Sequence, residues 1–464
     1  MTDQLPFDAV VFFPGALVEA ASPERALPGV PRLLAALARL GVRVAVIGDQ
    51  ELEGVPPVAH PDEVAPAERT LLVDETAPAA PQVLAALADG MGVFAAATKL
   101  VGPLDDAAVQ AATGRHLSLT KPPGSLGRLE ALGIQLAGIS GQAVPPLPRP
   151  AAVAVFAADH GVHAQGVSLW PQEVTTQMVA NFVAGGAAIN VLARQAGVDV
   201  VVVDVGVAAD LPDALTSSAD AATASPAATE AGGGRRLIDR KIARGTADLS
   251  AGPAMTPEQA RAALDAGAEV AAELVAHGHR CLLTGDMGIA NTTASTALIV
   301  ALADRRATEI TGPGAGLPPA DVPRKVAVVA AAAARARDRH GDDALAILAE
   351  IGGFEHAALA GFIVAGAALG VPVVVDGVIA AAALLVASRL APGVEASTIG
   401  GHRSVEPGSS AVLETLGLTP VLDLDLRLGE GTGAALAYPL IEAAARILGE
   451  MATFDQAGVS AKAH

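Results

Sequence analysis

Chemistry in this 464-residue chain starts with a single carboxylate held between glycines, in the run Leu428-Gly429-Glu430-Gly431-Thr432-Gly433. A Glu confined in that way is costly unless it is paired, solvated or used. A second run, Thr284-Gly285-Asp286-Met287-Gly288-Ile289-Ala290-Asn291-Thr292-Thr293, joins an apolar strand to a helix through glycines. Backbone N–H groups at such a helix start can hold a phosphate with the helix dipole assisting. The same run also reads as an ordinary strand-to-helix turn capped by Asn291 or Thr292. Gly312-Pro313-Gly314-Ala315-Gly316 is a further Gly-rich loop, and His402 to Gly408 sets the Ser404 hydroxyl beside a helix start. Asp159-His160-Gly161 suits a metal site, a catalytic dyad or a polar strand end. With only His163 close by in sequence, no metal is expected there.

These runs need a scaffold. Apolar stretches ending in polar or Gly residues recur at Ala154 to Asp159, Val200 to Asp204, Cys281 to Asp286 and Val373 to Asp376, with Ala-rich helices between. That alternation predicts an α/β fold, a doubly wound parallel sheet whose ligands gather at the carboxyl ends of its strands. Residues 208–234, rich in Ala, Ser, Thr and Asp, read as an inserted loop. Ala357 to Val375 is long and apolar enough to resemble a membrane span. Gly370 and Pro372 break it, so a buried helix, a turn and a buried strand are expected instead. Ahead of all this, residues 1–99 read as a small α/β unit. Its expected strands are Val10 to Phe13, Val42 to Ile47, Thr70 to Val73 and Gly92 to Ala96, with helices at Pro31 to Leu40 and Pro81 to Leu87.

Composition excludes several functions. A net charge of -19, from 30 basic and 49 acidic residues, with 2% aromatics, argues against a nucleic-acid partner, which needs a basic stripe or stacking platforms. The lone Cys281 rules out internal disulfides and Cys-based zinc clusters. No basic region followed by an apolar stretch opens the chain, so a cytoplasmic protein with no membrane partner is expected. No G-x-G-x-x-G opens a first helix as a dinucleotide-binding dehydrogenase would require.

Taken in order, the motifs are far more specific than singly. Lys121-Pro122-Pro123-Gly124-Ser125-Leu126-Gly127-Arg128-Leu129-Glu130 comes first, followed by Phe156 to Met178 with its Gly166-Val167-Ser168 and Pro171-Gln172-Glu173-Val174-Thr175. Asn181 to Leu192, Lys241 to Thr246, and the two runs around Asp286 and Glu430 then follow. This series resembles the nicotinate-nucleotide:5,6-dimethylbenzimidazole phosphoribosyltransferase family from about Leu100 to Gln456. The resemblance implies a domain over residues 100–464 in which the doubly wound sheet is joined by a smaller helical subdomain. It implies nicotinate mononucleotide and dimethylbenzimidazole as substrates, no cofactor, no metal, and a homodimer with the site near its interface.

By the same resemblance Glu430 is the base that takes the proton from the incoming benzimidazole, and Asp286 stabilises the transition state or binds ribose hydroxyls. Ser168, Gln177, Leu169 and Met178 line the benzimidazole pocket, with Trp170 as an apolar neighbour. Gly288, Asn291, Gly314, Lys325 and Ser404 hold phosphate and ribose, Lys325 being a natural phosphate partner after a Gly-rich loop. Two positions depart from the family: Asp286 stands where Glu is usual, and Pro313 where Arg is usual. A transferase for a different base, or a silent binding protein for nicotinate nucleotide or a lower-ligand base, is the alternative reading.

The first unit resembles the core of a haloacid-dehalogenase-type phosphatase. Phe7-Asp8-Ala9-Val10-Val11-Phe12 looks like that family's first strand, and Leu71-Leu72-Val73-Asp74-Glu75 like its last acidic motif. Phe13 and Gly15 stand where its nucleophile and acid/base Asp belong, and Gly48 replaces its Ser/Thr. Since no phosphoaspartate forms on Phe, an inactive appendage is expected.

Overall fold

The computed structural model describes residues 5–460 apart from 20–21, 49–50, 53, 67–68, 76–77 and 212–234. The proposed 208–234 insertion therefore falls almost wholly outside the described residues. Within the first unit, β1 (Ala9–Phe12), β2 (Arg43–Ile47), β3 (Pro57–Val58) and β4 (Thr70–Val73) form a parallel sheet in the order β3-β2-β1-β4. It is flanked by α1 (Val30–Arg39) and α2 (Ala79–Ala88).

One expected strand is a helix. Gly92 to Ala96 belongs to α3 (Val93–Leu100). Gly92 enters it at φ +90°, and the Asp265 carboxylate accepts the Phe94 N–H at 2.8 Å, satisfying a donor that a helix start leaves free. The Ala95-Ala96-Ala97 run then favours helix intrinsically. Ala96 and Ala97 are fully buried, and α3 packs on the larger domain.

The second sheet carries the site. Its six parallel strands are β5 (Ala151–Ala158), β6 (Val198–Gly206), β7 (Arg235–Asp239), β8 (Cys281–Met287), β9 (Val373–Val375) and β10 (Thr398–Gly400). Their order is β10-β9-β8-β5-β6-β7. The chain builds outward from β5 through β6 to β7, then returns to the other side of β5 with β8. The order reverses between β5 and β8, and the crevice beyond their carboxyl ends is where such sheets bind ligands.

Strand β5 shows how the two layers are made, since side chains alternate across a strand. Ala152, Ala154 and Phe156 join one apolar core, while Ala151, Val153 and Val155 join the other. The first core lies under α8 (Pro257–Ala276), α9 (Asn291–Leu302), α11 (Phe354–Ala368) and α12 (Val378–Leu390), and α10 (Val322–His340) covers α9. The second holds α6 (Val174–Ala184), α7 (Ala188–Ala196) and α13 (Thr432–Glu450). Helices α4 (Asp106–Ser118) and α5 (Arg128–Ser140) pack with α13 as a smaller helical layer.

Small residues replace aromatic bulk where helices cross. A Cβ on Gly267 of α8 would overlap the Ala358 carbonyl, and one on Gly361 of α11 the Leu264 carbonyl. Gly267→Ala therefore forces two backbones apart, and urea unfolding should show a loss of about 3 kcal/mol. An unchanged midpoint would mean that the crossing relaxes freely.

The Ala357 to Val375 stretch is the expected buried helix, turn and strand, with Gly370 at φ +72° in the turn. Val174–Ala196 is the one stretch among the described residues long and apolar enough to cross a membrane. It is two helices, α6 of 11 residues and α7 of 9, separated at Gly185 and Gly186. Each is well short of the roughly 20 residues a span requires.

Candidate active site

A cavity of about 640 Å³ opens at the β5–β8 switch point, with Asp286, Gly288, Asn291, Gly314, Ser404 and Glu430 all on its wall. Glu430 reaches it through an unusual backbone. Gly429, Glu430 and Gly431 follow one another at φ +83°, +64° and +92°. A side chain is uncommon at such angles, so the flanking glycines leave Glu430 as the one residue of the three that carries the strain. Gly431 also packs against Thr284 and Gly285, and a Cβ on Gly285 would lie 2.6 Å from the Glu430 carbonyl oxygen. The two Gly-rich runs thus press against each other, which is what brings Glu430 beside Asp286.

Asp376, at the end of β9, holds this loop from below. Its Oδ1 accepts the Gly433 and Ala434 N–H groups at 2.8 and 3.0 Å, and its Oδ2 accepts that of Gly431 at 3.2 Å. This is an N-terminal cap for α13 supplied from another strand, and it fixes the turn that carries Glu430, two residues ahead of the helix, on the cavity wall.

Both carboxyls have environments that favour their protonated forms. Burial pushes Glu430 above the usual carboxylate range, against the Ile189 N–H that its Oε2 accepts at 3.1 Å, and with the Asp376 charge adding to the rise. Asp286 is pushed much further, first by burial and then by Asp376, Glu355 and Glu430, against a 3.0 Å hydrogen bond from the Asn291 amide. Its Oδ1 is buried with no hydrogen-bond partner among the described residues. A neutral Asp286 carboxyl can donate a hydrogen bond, and Glu430, once ionised, is a stronger proton acceptor than an ordinary Glu because its pKa is raised.

The β8–α9 turn forms the far wall. A Cβ on Gly288 would overlap the Ala158 carbonyl, so only Gly fits between β5 and β8 there. The Ile289 N–H donates to Thr175 Oγ1 at 3.2 Å, tying α6 to the turn. Ala290 sits at φ +77° immediately before α9, which places Asn291 and Thr292 at the helix start, on the cavity wall.

Expected base-binding residues divide. Met178 lines the main cavity beside Trp170 and Val174. Ser168 and Leu169 line a small annex of about 50 Å³ between the Ser168 loop, Gly288 to Thr292 and Pro313. Ala315 borders both spaces, and its carbonyl accepts the Trp170 indole N–H at 3.0 Å. Gln177 is exposed on α6 and lines neither space.

Lys325 is also outside both. It is fully buried on α10, and its Nζ donates to Thr292 Oγ1 at 2.9 Å and to the Gly312 carbonyl at 3.0 Å. It braces the helix start and the Gly-rich loop from behind. Burial pushes its ammonium down to about 8, with Glu406 opposing. An unfolded Lys titrates near about 10.4, so between those values the unfolded chain binds the proton more tightly and stability rises with pH. Lys325→Met should abolish this rise between about pH 8 and 10 in urea titrations. A rise equal to that of the unmodified protein would place its source elsewhere.

Three features go beyond the sequence-based expectations. Arg427 lines the cavity and donates to the Gly314 carbonyl at 3.1 Å. Asp376, expected only as a strand end, caps a helix. The histidine that meets His160 is His356, not His163, whose ring instead contacts the Trp170 carbonyl. His160 and His356 both touch Glu355 Oε1, at 2.7 and 2.8 Å, in a fully buried group. Burial alone would raise Glu355, but the two imidazoles outweigh it and hold the carboxyl far below its usual range.

A doubly wound sheet whose glycine turns and carboxyls meet at its switch point defines an α/β protein that binds its ligand there, and likeness to known proteins gives the chemistry. A family model described as phosphoribosyltransferase matches residues 101–459, and the chain belongs to that family. It is 53% identical over 365 residues to a nicotinate-nucleotide–dimethylbenzimidazole phosphoribosyltransferase of Salinispora tropica, covering 79% of this chain and 98% of that one. A protein of the same name from Chloroflexus aurantiacus is 51% identical over 362 residues, covering 78% and 97%. The crystal structure of CobT from Thermus thermophilus superposes with a TM-score of 0.68 at 47% identity, covering 77% of this chain and all of that one.

Proposed function

We propose that the chain transfers the 5-phosphoribosyl group of nicotinate mononucleotide to 5,6-dimethylbenzimidazole, releasing nicotinate and α-ribazole 5'-phosphate. The observation that carries this is Glu430, a carboxylate of raised pKa at the edge of a cavity large enough for two ring systems and a ribose. The relatives that share about half of its residues carry the corresponding name.

One benzimidazole nitrogen attacks the anomeric carbon as the bond to the nicotinate nitrogen breaks. The electron pair of that bond leaves with nicotinate, whose ring becomes neutral. The proton on the other benzimidazole nitrogen passes to Glu430 and then to solvent. Attack from the face opposite the leaving group inverts the centre to α. Charge develops on the ribose as in other glycosyl transfers. A neutral Asp286 suits a hydrogen bond to a ribose hydroxyl better than a counter-charge to that centre, and the shorter Asp leaves room for one. Phosphate belongs at the start of α9, among Gly288, Asn291 and Gly314, with Ser404 across the cavity. Arg427 is the cation available there, compensating for Pro313, while Lys325 acts through Thr292.

Met178 and Trp170 are the apolar contacts for the base, with Ser168 and Leu169 in the annex. A homodimer and a cytoplasmic setting belong to the same reading, as does an inactive role for residues 1–99. Mixing protein with nicotinate mononucleotide should release nicotinate only when dimethylbenzimidazole is present. Binding of both without release would favour a silent binding protein.

A further inference from the structure

We propose that the junction between the N-terminal unit and the transferase domain is a second ligand site, for a neutral, planar heteroaromatic bearing an N–H, of the benzimidazole class. The class rests on the base assigned to the Glu430 site above.

The junction encloses about 340 Å³. That volume falls within the range of small-molecule sites, which favour boundaries between folded units. One wall is the carboxyl end of β1 and β4, where Gly15 and Glu75 lie. The order of the small sheet reverses between those strands, so this is its own switch-point crevice. The opposite wall comes from the transferase domain: Leu136 and Ile139 of α5, Val275 of α8, and the Gly370 to Pro372 turn before β9. The family match begins at residue 101, so the first wall lies outside the region shared with the family model.

The wall chemistry selects the ligand. Seven of the lining residues are prolines, among them Pro28, Pro81, Pro146 and Pro372. Proline has no backbone N–H, so apart from the Arg280 guanidinium on the rim the lining offers carbonyl acceptors and apolar ring edges but few donors. A ligand must therefore supply the donor itself. Glu75 is the acceptor best placed to meet it. A Cβ on Gly15 would overlap the Glu75 carboxylate, which shows that this side chain lies across the position where the phosphatase-type unit would keep its acid/base Asp. Glu75 is exposed and has no ion-pair partner among the described residues. An anionic ligand would face that like charge.

On the rim, Arg280 is exposed and likewise without an ion pair among the described residues. A planar guanidinium stacks on an aromatic face, which a flat heterocycle would present. His279 is not available, since its ring is engaged by the Leu274 carbonyl and Asp199. An N–H donor at one edge, an apolar body and a flat face are together the features of a benzimidazole.

The test is equilibrium dialysis of the full chain with 5,6-dimethylbenzimidazole, alongside Ala80→Trp and Glu75→Gln. Ala80 lines the cavity on the first turn of α2 and is partly exposed, so Trp fills the space at little cost to the fold. The unmodified chain should bind two molecules, and Ala80→Trp one, with turnover unchanged. Glu75→Gln should weaken the second molecule at least about tenfold, as expected for losing a charged acceptor. Benzoate, flat but anionic and without an N–H, should not displace it.

One molecule per chain in both the unmodified protein and Ala80→Trp, with turnover intact, would overturn the inference and leave the proposed reaction standing. Two molecules in both would place the second elsewhere and overturn it too. An unchanged Glu75→Gln, or displacement by benzoate, would overturn the ligand class. Neither binding nor turnover would overturn this site and the proposed reaction together.

Discussion

Glu430→Gln is expected to fold and to bind both substrates while turning over at least about a hundredfold slower, the range for losing a general base. The amide keeps the size of the side chain, and its oxygen can still accept the Ile189 N–H, so the left-handed backbone at 429–431 has no cause to rearrange. What it loses is the capacity to hold a proton. In the unmodified protein, burial raises Glu430 above an ordinary carboxyl. The base must be ionised to work, so kcat should fall on the acid side at a pH above about 4.3, the ordinary Glu value. That acid limb should be missing from the residual activity of the Gln variant. A rate within a few-fold of the unmodified enzyme would remove Glu430 from the mechanism.

The second large effect is expected from Asp376, which touches the loop rather than the reacting atoms. Asp376→Ala leaves the N–H groups of Gly431, Gly433 and Ala434 without their acceptor in a buried position. Losing such a charged hydrogen-bond set should cost about 3 kcal/mol of stability. Turnover should fall about a hundredfold, because a displacement near 1 Å at the base suffices for that. A purely structural role would leave the pH profile alone. The Asp376 charge contributes to the raised Glu430, so the variant's acid limb should move to lower pH. Asp376→Asn, which keeps one acceptor oxygen, should recover part of the stability. Unaltered stability and pH profile would contradict the positioning role.

These two residues also show what the sequence made legible. The four inner strands can be read because each is a short apolar run closed by Asp, so the ligand-binding edge follows from local pattern, whereas the edge strands β7, which opens on Arg235-Arg236, and β10, three residues long, carry no such signal. Glu430 and Asp286 stand out because glycines flank them, and the fold packs those glycine runs against each other. What escapes is tertiary. Gly92 to Ala96 is apolar enough for a strand and becomes a helix because Asp265, 171 positions away, caps Phe94. Asp376 caps α13 across 57 positions, a partnership that no local motif encodes. His356 meets His160 only once α11 crosses β5. The position of Lys325 after a Gly-rich loop suggests a phosphate contact, yet its chain runs behind that loop, where Thr292 and Gly312 engage it. Arg427 carries a usable signal, a cation three residues before the glutamate, in a chain with Pro313 in the other loop.

The central claim is a transfer that inverts the anomeric centre with Glu430 as proton acceptor. Incubating the full chain with nicotinate mononucleotide and 5,6-dimethylbenzimidazole and reading the product by NMR tests it most directly. One new ribosyl phosphate is expected, α-linked to a benzimidazole nitrogen and formed in equal amount to released nicotinate. A β-linked product, or ribose 5-phosphate from attack by water in its place, would contradict it.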